Sequence, residues 1–295
     1  VTLVRAATRG SPLARWQAEH IAALLRAVDP DIVVELVLVD TQGDRRLDVP
    51  IWELGGKGVF AKEVQAAVLD GRADIAVHSA KDLPSITMPG LVIGAVPERG
   101  DPRDALVGST LADLPQGAEV ATGSLRRQAQ LAAARPDLRF VGLRGNMATR
   151  IAKATDHDAV VVAATALDRL GLADQISERL PIDLVLPQVA QAALAVECRV
   201  EDAALRELLR SIEDAGVRRC VDAERAFLAE LGGDCSLPAA AYATLNDGVL
   251  SIEGRLAAID GTTMLRHVVA GHDSAVGAEV ARHLLDHGGR ELLAR

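Results

Sequence analysis

Residues 3–39, LVRAATRGSPLARWQAEHIAALLRAVDPDIVVELVLV, run strand, helix, strand, and that order decides the fold class. Leu3 to Ala7 is an apolar run of strand length, followed by Thr8-Arg9-Gly10-Ser11-Pro12. Ser11 suits the N-cap of the next helix, because its side-chain oxygen accepts from an N–H that a helix start leaves orphaned. Pro12, at the first helical position, has no N–H to orphan. Leu13, Trp16, Ile21, Leu24 and Val28 recur close to helical spacing and predict the apolar face, which Asp29-Pro30 ends. Ile32 to Val39 reads as a buried strand, and buried strands alternating with helices make α/β layers.

The same alternation continues outward. A helix from about Phe60 to Leu69 leads through Asp70-Gly71-Arg72 into the strand Ile75 to His78. Ser79-Ala80-Lys81-Asp82-Leu83-Pro84 therefore lies just past a strand's carboxyl end, where open α/β sheets bind ligands. After the strand Leu91 to Val96, the turn formers and charges of Pro97 to Pro102 mark a crossing between domains. A second α/β unit has expected strands at Ala105–Val107, Glu119–Ala121, Phe140–Leu143 and Ala159–Ala163. Beyond Pro187 the chain recrosses, with a strand at Ala192–Val196 and a helix at Glu201–Ile212. The order then changes to a long helix, Val217 to Leu231, strands near Ala239–Leu245, Val249–Ala258 and Thr263–Ala270, and a last helix from Ala275 to His287. The expected domains are residues 1–96 with 190–213, residues 97–189, and an α+β domain over 214–295.

Composition narrows the function classes. Net charge is −9 and aromatics are 2%, which opposes a polyanion and leaves few platforms for stacking bases. No segment approaches the roughly 20 consecutive apolar residues of a spanning helix, and the start reads into a strand without a signal-peptide pattern. Cys198, Cys220 and Cys235 form no C-x-x-C pair and make a poor disulfide framework, so a reducing cytoplasm is expected.

Cations stand at three predicted strand-to-helix junctions: Arg9 before Ser11, Arg126 and Arg127 after Ser124, and Arg144 with Arg150 around Gly145-Asn146. Positive charge in a first helical turn opposes the helix dipole, and a bound anion removes the conflict. The alternative is that these arginines are solvated or paired within the protein. Gly55-Gly56-Lys57-Gly58 reads as a loop over a cleft, with Lys57 as its cation. Its G-x-G-x-x-A lacks the preceding strand of a dinucleotide site, and no phosphate-binding G-x-x-x-x-G-K-[ST] occurs. Asp82, among these cations, is the candidate catalytic group, for a developing positive charge or a proton; a capping or salt-bridging Asp is the alternative. His78 reads as a buried strand residue, and His283 with His287 as a surface helix pair without the further ligands of a metal site. Cys198 and Cys220 read as structural, whereas Cys235 sits in the turn-rich Gly232-Gly233-Asp234-Cys235-Ser236-Leu237-Pro238.

Taken in order, Ala7 to Ala14, Gly55 to Gly58, His78 to Pro84, Ser124 to Arg127, Leu143 to Asn146 and Gly232 to Cys235 resemble the porphobilinogen deaminase (hydroxymethylbilane synthase) family over essentially the whole chain. The resemblance implies three domains, two of them like type II periplasmic binding proteins and a third α+β with a three-stranded sheet. It implies a dipyrromethane cofactor held by Cys235 as a thioether, onto which four porphobilinogen molecules condense with loss of ammonia. By the same resemblance Asp82 is catalytic, and Lys81, Asp82, Ser124, Arg126, Arg127 and Arg144 hold the cofactor. Arg9, Ser11, Lys57, Ser79, Arg144, Arg150 and Gln191 bind substrate carboxylates, no metal is used, and the enzyme is a cytoplasmic monomer. Two departures are visible: Ala190-Gln191-Ala192 stands where the family has a Gly-Gln-Gly-type hinge, and Glu53 where some relatives carry a lysine. A binding protein that captures a small anion, with Cys235 merely structural, and a nucleic-acid binder using the arginines are the rival readings.

Overall fold

A computed structural model describes residues 2–45, 58–232 and 237–294, apart from the side chains of residues 44 and 45. Lys57, Glu53 and Cys235 lie outside the described residues. In chain order the elements are β1 (Thr2–Arg9), α1 (Pro12–Val28), β2 (Ile32–Val39), α2 (Gln42–Arg45), α3 (Lys62–Leu69), β3 (Ile75–Ser79), β4 (Leu91–Ala95), β5 (Asp104–Val107), β6 (Glu119–Ala121), α4 (Leu125–Ala134) and β7 (Arg139–Val141). There follow α5 (Met147–Ala152), β8 (Ala159–Ala163), α6 (Ala164–Arg169), β9 (Glu178–Arg179), β10 (Leu194–Arg199), α7 (Ala203–Arg210), α8 (Ala215–Glu230), β11 (Ala239–Asn246), β12 (Val249–Ala257), β13 (Met264–Gly271) and α9 (Ala275–Leu284).

The chain forms two compact units, Val1–Gly100 with Ala193–Arg218, and Asp101–Ala192 with Arg219–Arg295. The first holds a sheet of order β2-β1-β3-β10-β4, in which β1 pairs parallel with β2 and β3 while β10 runs antiparallel between β3 and β4. The second holds the equivalent sheet β7-β6-β8-β5-β9, with β5 antiparallel to β8, and a three-stranded antiparallel sheet β11-β12-β13. Both five-stranded sheets are thus mixed, each with one strand running antiparallel to its neighbours, and the three-stranded sheet with α8 and α9 supplies the α+β part. Gly277 lets those helices close up, since a Cβ there would stand 1.8 Å from the Ala223 carbonyl oxygen.

Two details differ from the sequence expectation. The buried face of α1 is Ala14, Gln17, Ala18, Ile21, Ala22 and Leu25, whereas Trp16 and Val28 are exposed. Small alanines let a helix lie close on a sheet, so the largest apolar residues were the wrong guide to the face. Trp16 instead stacks on His20 at 5.0 Å between ring centroids, one helical turn apart. The expected buried strand β2 is an edge strand, and Val33 and Leu38 on it are about half exposed. A sheet's last strand is covered on fewer sides, which an apolar run does not reveal.

At the return crossing, Ala190 and Ala192 adopt left-handed backbone angles, φ 57° and 71°. For a residue with a Cβ this conformation costs roughly 1–2 kcal/mol, so the alanines keep the geometry a glycine hinge would adopt freely. The turn is held by Glu224 on α8, fully buried, which accepts from the Ala190 N–H at 2.6 Å and the Ala243 N–H at 2.9 Å. Glu224→Ala leaves both N–H groups buried without an acceptor, at about 1–3 kcal/mol each. Urea unfolding is expected to register a loss of about 3 kcal/mol or more; an unchanged midpoint would refute the assignment.

Candidate active site

In the first unit, β1 and β3 are parallel neighbours with Ala7 beside Ala76, so their carboxyl ends bring Arg9 next to His78 and Ser79. Ser11 caps α1, its Oγ accepting from the Ala14 N–H at 3.3 Å. Beyond β3 the chain makes a single 3-10 turn, Ala80–Asp82, closed by the Leu83 N–H on the Ala80 carbonyl. That turn places Asp82 on a cleft lined also by Arg9, Gln17, Phe60, His78 and Ser79. Gln17 donates to the Ser79 hydroxyl at 2.8 Å, and the Arg9 guanidinium lies 4.2 Å from the centre of the Phe60 ring. Among the described residues, none bonds to the Asp82 carboxylate. Asp82 is half-buried and lines the cleft. Lys81 is half-buried on the same turn.

The second unit concentrates cations more tightly. Ser124 caps α4, its Oγ accepting from the Arg127 N–H at 3.4 Å, and a Cβ on the preceding Gly123 would meet the Leu143 carbonyl at 2.6 Å. The first turn of α4 carries Arg126 and Arg127, both buried, on either side of Asp104 from β5. Arg126 Nη2 lies 2.8 Å from one Asp104 oxygen, and Arg127 Nη2 2.8 Å from the other. Burial by itself pushes the Asp104 carboxyl up, but the fields of Arg126 and Arg127, with hydrogen bonds from Arg127 and Gln191, outweigh it and bring the pKa down to about 2. Burial is also what lowers the Arg126 pKa, against the pull of Asp104.

Two guanidiniums against one carboxylate leave one positive charge in surplus. Arg126 donates through Nη1 to the Leu186 carbonyl at 2.7 Å, while its buried Nε has no hydrogen-bond partner among the described residues. Arg126 and Ser124 line a second cleft with Gln188, Val189, Phe227 and Leu237. Leu237 follows Cys235 by two residues in sequence.

The remaining expected residues fall on the second unit. Arg144 is half-buried directly after Leu143, and Arg150, on α5, donates through Nε to the Gly145 carbonyl at 2.9 Å. Gln191 is fully buried and donates to the Pro102 carbonyl at 2.7 Å and to Asp104 at 2.9 Å. Two residues escaped the sequence reading. Asp104 stands unmarked just before the expected strand at Ala105, and only folding brings it to α4. Arg169, at the end of α6, donates to the Ala192 carbonyl at 2.7 Å and is pushed down to about 10 by burial. His267, His283 and His287 stack with centroids 3.6 and 4.0 Å apart, and no group of His, Cys, Asp or Glu among the described residues is arranged to hold a metal. Cys198 and Cys220 are buried and not joined in a disulfide. No helix among the described residues is long and apolar enough to cross a membrane.

Residues 4–207 match the family model described as porphobilinogen deaminase, dipyromethane cofactor binding domain, and residues 218–286 match that of the porphobilinogen deaminase C-terminal domain. The chain is 46% identical over 299 residues to the porphobilinogen deaminase of Syntrophotalea carbinolica, covering 99% of this chain and 95% of the relative. It is 47% identical over 294 residues to that of Syntrophus aciditrophicus, covering 97% and 96%. Among solved structures, a nutrient binding protein from Burkholderia cenocepacia bound to methionine aligns over 72% of this chain and 93% of its own, at 14% identity and a TM-score of 0.43.

Proposed function

The chain belongs to the porphobilinogen deaminase family, and on that premise we propose that it is a hydroxymethylbilane synthase of tetrapyrrole biosynthesis. It joins four porphobilinogen molecules in turn, releasing ammonia at each addition, and frees the linear product by hydrolysis. The observation that carries this reading is the surplus cation of the second unit. A buried guanidinium whose Nε has no partner among the described residues, on a cleft lined also by Ser124 and Leu237, supports an anion site there. A carboxylate-bearing dipyrromethane fits that site, and when bound it supplies the primer end on which the product is built.

Cys235 is the proposed point of attachment, through a thioether. Ser124, Arg126, Arg127, Arg144 and Lys81 are proposed to hold the cofactor's acetate and propionate groups. Each porphobilinogen ring brings two carboxylates, for which Arg9, Ser11, Lys57, Ser79, Arg144 and Arg150 are the proposed partners, guanidiniums by paired hydrogen bonds. Gln191 is proposed to serve substrate binding by fixing Asp104 and, through it, the two arginines. Asp82 is proposed to stabilise positive charge at the substrate as the carbon–nitrogen bond breaks, its carboxylate not being neutralised by any described partner. Residues 214–295 are read as a third domain carrying the cysteine, and the protein as a cytoplasmic monomer without nucleic-acid or membrane partners, in keeping with a net charge of −9.

Intact-protein mass spectrometry tests the proposal. The wild-type chain is expected to carry a discrete covalent excess of one dipyrrole that disappears in Cys235→Ala together with porphobilinogen consumption. An active chain without the added mass would overturn the attachment.

A further inference from the structure

His78 reads from sequence as a core residue, yet its surroundings are not those of a core. Glu197, at the centre of β10 and 1% exposed, lies on the same sheet face as His78, one diagonal step from it across the β3–β10 pairing. His78 Nε2 is 3.1 Å from a Glu197 carboxylate oxygen, off the line of a straight hydrogen bond. From α3, the buried Gln65 amide donates to both carboxylate oxygens, at 3.1 and 2.9 Å. Taking an ionised carboxylate out of water costs several kcal/mol, and an apolar side chain of similar volume would often fill such a position at no loss of stability. The trio also abuts the first unit's cleft, which His78 and Asp82 both line. With Nε2 turned to Glu197, the other ring nitrogen, Nδ1, has no partner among the described residues. A carboxylate behind one imidazole nitrogen holds the proton there and leaves the second nitrogen as an acceptor.

Resting on the proposed synthase reading, we propose that His78, held by Glu197, is a second proton-handling group beside Asp82, whose Nδ1 accepts the proton released from the acceptor pyrrole carbon in each condensation. The step balances. The aminomethyl carbon–nitrogen bond of porphobilinogen breaks with its electron pair leaving on ammonia, and that carbon bonds to the acceptor pyrrole carbon. The acceptor carbon's hydrogen departs as a proton to Nδ1, and transfer of that proton to ammonia gives ammonium and restores the ring. Asp82 and His78 then divide the work: a carboxylate stabilises the cation that precedes the bond, and a neutral base removes the proton that follows it. Gln65 keeps the Glu197 carboxylate facing the ring.

Two readouts test this. Nitrogen-15 histidine NMR on the unreacted protein is expected to find the neutral His78 ring protonated at Nε2 in the wild type, and this preference weakened in Glu197→Gln. A proton on Nδ1 in the wild type would overturn the proposal. In single additions of porphobilinogen to enzyme already carrying one ring deuterated at its free α-carbon, His78→Gln is expected to slow condensation about a hundredfold and to show a primary isotope effect larger than the wild type's. A slowed variant with an unchanged isotope effect would make His78 a structural residue and sink the assignment. Should His78→Gln fail to fold, Glu197→Gln gives the same isotope readout, with the same outcomes. A wild-type chain that does not consume porphobilinogen would refute the synthase reading itself, while the tautomer of His78 would still be measured.

Discussion

Asp82→Asn is expected to turn porphobilinogen over about a hundredfold to a thousandfold more slowly than the wild type while unfolding at the same temperature. The first half follows from charge. A preorganised carboxylate beside a carbon that becomes cationic contributes on the scale of an oxyanion-hole donor, about 2.7–4 kcal/mol, and asparagine keeps the shape without the charge. The second half follows from the geometry, because no described residue bonds to this carboxylate and the turn around it closes through backbone, Leu83 N–H to Ala80 carbonyl. Ammonia release at saturating porphobilinogen measures the first and a thermal melt the second. Near-normal ammonia release would remove Asp82 from the chemistry, and a large drop in melting temperature would make it a structural residue.

The fold was legible wherever a local rule governs it. Ser11 and Pro12 announce the start of α1, and α1 begins at Pro12; Ile32–Val39 follows Asp29-Pro30-Asp31, and Ala159–Ala163 follows the polar Asp156-His157-Asp158. What stayed hidden depends on neighbours remote in sequence. Whether β2 is central or at an edge is decided by which strands flank it, so its apolar run overstated its burial. Trp16 looked like a core residue because its size outweighs that of Ala14 and Ala18, although the surface of a sheet selects small residues for a helix lying close upon it.

The site divides in the same way. Asp82 and Ser124 sit at strand and helix ends and are found by position alone. Asp104, by contrast, stands 22 residues before Arg126 and 87 before Gln191, differences that only the fold closes. Glu197 falls in an otherwise apolar strand, where a single acid could equally be an edge residue facing water. Its burial beside His78 and Gln65 becomes visible only once β10 is inserted antiparallel between β3 and β4. Arg169 ends an ordinary helix, and nothing local marks that its guanidinium turns to the Ala192 carbonyl.

Asp104 carries the second large expectation. Asp104→Asn leaves the buried Arg126 and Arg127 facing each other without a counter-ion, and breaking a buried pair in this way costs about 3–5 kcal/mol. Removing Arg127 as well, in Asp104→Asn with Arg127→Gln, takes away one of the stranded cations and is expected to recover part of the loss, since the sites are in direct contact. Acid titration gives an independent readout. The Asp104 carboxyl is depressed from an ordinary 3.8 to about 2, so the folded state binds its proton less readily than the unfolded chain. The stability this confers is present above about pH 4 and is lost as pH falls through 4 towards 2. At about 1.4 kcal/mol per pH unit the displacement amounts to about 2 kcal/mol. Urea midpoints of the wild type are expected to fall steeply over that window, and those of Asp104→Asn to start lower and fall less. Equal midpoints for both proteins at pH 7 would mean that the two arginines are neutralised by something other than Asp104, and the surplus charge on which the cofactor site rests would have to be recounted.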